Sequence, residues 1–172
     1  RPRPTHFFLN PKLICKGMFS SPEFYYDDEQ YFVGFSFSVI SEKDSKFDLK
    51  YLLGLLNSNM GRYWFNRYGK HRGIGVDIGV TKFRLFPVFN ADENQQKEII
   101  SMVERLLKNY KNKTDEEQSF WDRIFHKFKI SSISADLKKF YMKSFNEFLS
   151  EIEKTTQVTL TPTEEEEWSM YF

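Results

Sequence analysis

Tyr31, Val33, Phe35, Phe37 and Val39 alternate with Phe32, Gly34, Ser36, Ser38 and Ile40, so one face is wholly apolar and the other mixed. That period of two predicts a strand. Lys12–Lys16 ("KLICK") and Phe24–Tyr26 predict two shorter ones, and the runs on either side of the acidic turn Asp27-Asp28-Glu29 are set to form a hairpin. The period then changes. Leu49, Leu52, Leu53 and Leu56 recur at helical spacing behind Asp48, a good N-cap, and make a core-facing stripe. Asn57-Ser58-Asn59 interrupts, and Ser58 or Asn59 can cap a second helix from about Met60 to Tyr68 that stops at Gly69. Val76–Val80 and Phe83–Val88 predict further strands, the second ended by Pro87.

From Asp92 the pattern is helical. Ile99, Val103, Leu106 and Tyr110 mark one helix, Phe120, Trp121, Ile124, Phe125 and Phe128 a second, and Leu137, Tyr141, Phe145, Phe148 and Ile152 a third. Thr163 and Glu166 form a capping box for a last short helix containing Trp168, with a Val158–Leu160 strand before it. The charged run Lys111–Glu117 is the best internal boundary. The fold class expected is α+β. A mixed twisted sheet with packed helices is followed by a mainly helical C-terminal extension. The division is residues 1–10 linker, 11–112 main domain and 113–172 extension.

Composition narrows the classes. Nineteen Phe, nine Tyr and three Trp in 172 residues supply a core and argue against disorder. Cys15 is the single cysteine, which leaves no internal disulfide framework or thiolate metal cluster and fits a reducing compartment. No apolar run is long enough to span a membrane, and no signal peptide is visible, so the expected location is the cytoplasm. The start, Arg1-Pro2-Arg3-Pro4, reads as linker from the middle of a longer protein. The net charge of +1 conceals an asymmetry. Residues 1–90 hold thirteen Lys and Arg against eight Asp and Glu, while residues 91–172 hold twelve against sixteen. Between residues 60 and 86, Arg62, Arg67, Lys70, Arg72, Lys82 and Arg84 face Asp77 alone. Such a field attracts an anionic partner.

That stretch carries the candidate chemistry. In a helix, Met60, Trp64 and Tyr68 share one side and anchor it to the leucine helix, while Arg62, Asn66 and Lys70 project from the other. Arg and Lys neutralise phosphates; Arg reads guanine and Asn reads adenine through paired hydrogen bonds. On spacing alone an amphipathic helix with a solvated basic face is the simpler reading. The following "GKHRGIGVDIG" presents Lys70, His71 and Arg72 in a flexible glycine-rich loop, suited to a phosphate backbone or equally to bare solvent. It lacks both phosphate-loop and dinucleotide-binding spacings. His6, His71 and His126 lack metal-ligand spacing, no nucleophile elbow occurs, and Glu151, Glu153 and Lys154 read as helix surface rather than a nuclease centre. The adenine-methylating N-P-P-[YF] motif is missing, since Asn10-Pro11 is followed by Lys12.

Several segments resemble, in order, the TaqI-like C-terminal specificity domain of adenine-specific DNA methyltransferases and type IIG restriction-modification enzymes. They are "PKLICKGM", "YYDDEQYF", "YLLGLLNSNMGRYWFNRYG" and "TKFRLFPVFNADENQQKEIISMVERLLKNYKNK", with a similar tail "LTPTEEEEWSMYF". Leu55-Leu56-Asn57-Ser58, and Phe83–Pro87 leading into Glu93-Asn94-Gln95-Gln96, are its most telling pieces. The resemblance implies a target recognition domain in a bacterial or archaeal cytoplasm. Its partners are double-stranded DNA and a catalytic domain of the same polypeptide. S-adenosylmethionine is expected on that catalytic domain and no cofactor on this chain. No residue matches a catalytic motif of the family. The expected phosphate contacts are Arg62, Arg67, Lys70 and Lys82; the expected base or groove contacts are Asn66, His71, Arg72 and Arg84; Lys16, Tyr25 and Tyr26 are lesser candidates. The reading expects these cations to converge on a concavity wide enough for a duplex. The rival is a subunit-docking module that makes no direct DNA contact.

Overall fold

The computed structural model describes all of the chain except residues 1–3, 42–45, 74, 130, 131, 133 and 157. The linker reading of residues 1–3 lies outside the described residues. Two compact units divide at Lys108/Asn109, inside one long helix.

The first unit is α+β. Its elements are α1 (His6–Leu9), β1 (Lys12–Lys16), β2 (Met18–Phe19), β3 (Phe24–Asp27), β4 (Phe37–Ser41), α2 (Leu49–Asn57), α3 (Asn59–Tyr68), β5 (Lys70–Arg72), β6 (Gly75–Asp77), α4 (Val80–Arg84) and the first part of α5 (Glu93–Phe128). The strands form two antiparallel three-stranded sheets, ordered β3-β1-β4 and β2-β6-β5. Gly17 joins them: its N–H donates to Ser36 O, and its carbonyl accepts from Ile78 N.

β1 is central and buried on both faces. Leu13 and Cys15 enter the core, and burial pushes the Cys15 thiol up to about 12, aided by Glu23. On the opposite face Lys12 is fully buried and forms an ion pair with Asp27, its cross-strand partner. Lys12 Nζ also donates to Phe8 O, and Asp27 accepts from the N–H groups of Glu29 and Tyr31. A buried charge pair holds only when its remaining donors and acceptors are satisfied in this way. It also brings residues 6–10 into the fold: α1 buries Phe8, where linker was expected.

The same carboxylate corrects the strand expected over 31–40. Asp27 draws in two N–H groups beyond the turn, Gln30 adopts φ 63°, and residues 31–36 leave the sheet. β4 begins only at Phe37 and pairs with β1, so β3 and β4 flank β1 instead of forming a hairpin. A second expected strand, Phe83–Val88, is instead the helical turn α4 and the irregular segment after it. Val76–Val80 contracts to Gly75–Asp77, since Val80 already begins α4.

The helices meet where the sequence ends them. Asp48 Oδ1 accepts from Lys50 N, and Asp92 Oδ1 accepts from Asn94 N and Gln95 N at the start of α5. Leu49, Leu53 and Leu56 are buried, together with Tyr51, whose hydroxyl donates to Phe89 O. On α5 the core-facing residues are Ile99, Val103 and Leu107; Leu106 and Tyr110, expected on that face, are exposed.

The second unit comprises the remainder of α5, a 3₁₀ helix (Leu137–Met142), α6 (Phe145–Thr156) and α7 (Pro162–Ser169). Its core gathers Phe120, Trp121, Ile124, Phe128, Leu137, Phe148 and Ile152. α5 runs through 111–117, a polar stretch with no Gly or Pro to stop a helix, and the two units divide within α5 at Lys108/Asn109. The helix expected over 137–152 is two elements, with Ser144 and Glu147 bonding reciprocally where α6 begins. The last capping box is Thr161 with Glu164, two residues earlier than expected, with Pro162 in the first turn. Val158–Leu160 is not a strand.

Two outcomes follow. Lys12→Ala strands a buried carboxylate and should destabilise the first unit by about 3–5 kcal/mol in urea denaturation. Lys127 chiefly, then the Thr161 N–H and hydroxyl, hold the Glu164 carboxyl well below the ordinary 4.5, at about 2. A depressed carboxylate stabilises the fold above its ordinary range and loses that contribution as pH falls towards 2. In a carbon-detected NMR titration Glu164 should therefore be among the last glutamates to protonate, and Lys127→Ala should raise its midpoint.

Candidate nucleic-acid interface

The candidate residues lie on α3, the β5–β6 hairpin and α4, which share one aromatic core. Phe65, fully buried, stacks on Phe86 at 5.2 Å and meets Phe24 at 5.4 Å and Phe83 at 5.7 Å. Trp64 closes on Phe86 at 5.5 Å. Offset and edge-on rings at such separations attract beyond their area burial. One side chain of α3 thus contacts rings from β3, from α4 and from Phe86 just after it.

Ser58 directs α3. Its N–H and its hydroxyl donate to Leu55 O at the end of α2, and the same hydroxyl oxygen accepts from Gly61 N at the start of α3. Asn57 binds both backbone groups of Phe24, accepting from its N–H and donating to its carbonyl, each at 2.9 Å. The "LNS" segment therefore fixes a corner between two helices and ties it to β3. The buried side of α3 is Gly61 and Phe65; Met60 and Tyr68, expected as anchors, are exposed. The outward arc carries Arg62, Tyr63, Asn66 and Arg67, by the helical period.

At the far end Gly69 caps α3 by donating to Phe65 O. A Cβ there would lie 2.2 Å from Val76 Cγ1, so only glycine allows the helix to abut β6. Lys70 is consequently not the next residue of the helix face; it starts β5. The segment expected as a flexible loop is a hairpin with Lys70 opposite Asp77 and Arg72 opposite Gly75, turning at Gly73 with φ +58°. β5 is an edge strand whose three side chains are all exposed, and basic side chains there discourage pairing with another strand.

The structure brings some candidates together and separates others. His71 Nε2 lies 2.8 Å from Asn66 O; because a carbonyl only accepts, Nε2 carries the proton and joins hairpin to helix. Arg72 Nε lies 3.1 Å from Asp77 Oδ2. Arg62, Arg67, Lys70, Lys82 and Arg84 make no ion pair with another described residue, whereas Lys12, Lys50, Lys97, Lys127 and Lys143 all do. Arg84 lines a separate groove of about 540 Å³ with Phe7, Ser38, Val80 and Phe83; that volume suits a small molecule, not a duplex. What the cations share is a core and not an enclosed cavity. Lys16, Tyr25 and Tyr26 belong to the other sheet, where Tyr26 packs on the core and the Tyr25 hydroxyl donates to Glu23.

Two residues beyond the expected set belong to this surface. Tyr63 is 64% exposed and lies three and four positions before Asn66 and Arg67, hence beside them. Asp77 is the acid that meets Arg72. Helical spacing alone would have found the first; the second needed strand register.

Among the described residues no group of three His, Cys, Asp or Glu side chains is placed to hold a metal ion, and no helix is long and apolar enough to cross a membrane. Asn10-Pro11-Lys12, the nearest approach to a methylation motif, does not fit a methyl-donor site, because Lys12 is committed to its buried ion pair.

No curated protein matches the chain. A family model described as a domain of unknown function (DUF8810) matches residues 92–172. The family model of the TaqI-like C-terminal specificity domain matches residues 1–88, which include β1–β6 and α1–α4. The chain belongs to the TaqI-like C-terminal specificity domain family, the DNA sequence-specificity domains of restriction-modification enzymes.

Proposed function

We propose that this chain recognises a duplex DNA sequence for an adenine-specific methyltransferase of the type IIG restriction-modification kind. It would hold the duplex while a linked catalytic domain, carrying S-adenosylmethionine, acts on a flipped adenine. Extruding a base opens the stack, so a second body must keep the duplex in register. No catalytic step is assigned to this chain.

The observation that carries the reading is the set of cations left unpaired on α3, β5 and α4. Between residues 60 and 86 the sequence offers these cations a single carboxylate, Asp77, and a phosphate backbone supplies the missing negative charge. Arg62, Arg67, Lys70 and Lys82 take the phosphate contacts. Asn66, His71 and Arg72 take the base or groove contacts, with Tyr63 stacking among them; Arg84 stands apart at its own groove.

Fluorescence anisotropy with duplex DNA tests the proposal. Four phosphate contacts predict a slope of about −4 in log affinity against log salt. Lys70→Ala should weaken all sequences alike and reduce that slope by about one. Absence of binding at low salt, with the chain folded, would defeat the reading.

A further inference from the structure

Among the described cations between Arg62 and Arg84, Arg72 differs from the rest: it makes an ion pair, with Asp77, which the register places opposite Lys70. For a phosphate contact that acid is a handicap. A carboxylate next to a guanidinium cancels most of its attraction for a phosphate, and in solvent the pair itself contributes little stability. The Arg72 side chain is exposed, at 57%, and that of Asp77 is half-buried, at 33%. Neither charge attraction for DNA nor fold stability accounts for Asp77.

Geometry does. Asp77 is placed firmly, between buried Val76 and Ile78, in the strand that β2 and β5 flank on either side. Asp77 Oδ2 lies against Arg72 Nε, and Nη1 and Nη2 make no hydrogen bond with another described residue. The Nη1–Nη2 edge offers two parallel donors, the arrangement that matches O6 and N7 of guanine in the major groove. A restrained guanidinium also loses less side-chain freedom on binding than a free one. The hairpin is held to α3 by His71 through Asn66 O, so the reading edge keeps a fixed place relative to the helix.

We infer that Arg72 reads one guanine of the target and that Asp77 is its positioning residue; the inference rests on the DNA-recognition reading above. Arg62, Arg67, Lys70 and Lys82 grip the backbone without regard to sequence.

The test uses the 172-residue chain and a duplex library with a randomised central segment, selected in parallel with wild type, Asp77→Asn and Arg72→Lys. Wild type should enrich a motif containing a G·C pair that both variants cease to select, a roughly ten-fold loss of discrimination at that one position. Asp77→Asn removes a negative charge, so its affinity for unrelated duplex should be equal or higher, an outcome that simple loss of folding does not produce. Arg72→Lys keeps the charge but lacks the two parallel donors, so its loss should be larger on the selected motif than on unrelated duplex. Retention of the wild-type motif by either variant would overturn the inference while leaving DNA recognition standing. So would a uniform loss across all sequences. Failure of wild type to bind or enrich anything would remove both.

Discussion

The placement of Phe65 is the constraint from which the surface chemistry of the first unit follows. It sits on the inner side of α3 and is enclosed by rings from β3, α4 and the residues after α4. A helix so short has little intrinsic stability in water, and most of its order comes from burying an apolar face. Once Phe65 is buried, Tyr63 and Arg67 are fixed on the opposite, solvent-facing side, with Arg62 and Asn66 on the flank. The hairpin is then positioned by Gly69 against Val76 and by His71 against Asn66.

Charge distribution works on top of that scaffold. The first sheet places its one buried cation in a fully satisfied pair with Asp27. The second sheet does the reverse, exposing three consecutive basic side chains on an edge. The two sheets are joined at Gly17, between β1 and β2. The second unit has a separate aromatic core and its own internal ion pairs, Lys127 with Glu164 and Lys143 with Glu151.

Features governed by near neighbours were legible in the sequence. Asp48 and Ser58 each cap through groups within three residues, and β1 is bounded where its pattern ends. What escaped depended on distant partners or on competing local patterns. The alternation at Tyr31–Ser36 was real, yet Asp27 captured the backbone that a strand would have used. Phe83 and Phe86, read as part of a strand, are spaced by three and pack as one helical side does. Two overlapping T-x-x-E frames competed before Trp168, and Pro162, favoured in a first turn, selected the earlier. In the candidate site the residue types were visible, but the Arg72–Asp77 pairing required a register that no local pattern encodes.

The corner at Asn57 and Ser58 separates two kinds of position. Everything that aims α3 lies in the corner itself or on the inward side of the helix: the two shared caps, the clasp on Phe24, Gly61 and Phe65. None of it lies among the outward residues. Exchanges at Arg62, Tyr63, Asn66 or Arg67 therefore leave the axis of the helix where it was. A lineage can rewrite the outward alphabet one letter at a time, acquiring a new preference without first rebuilding the support beneath it.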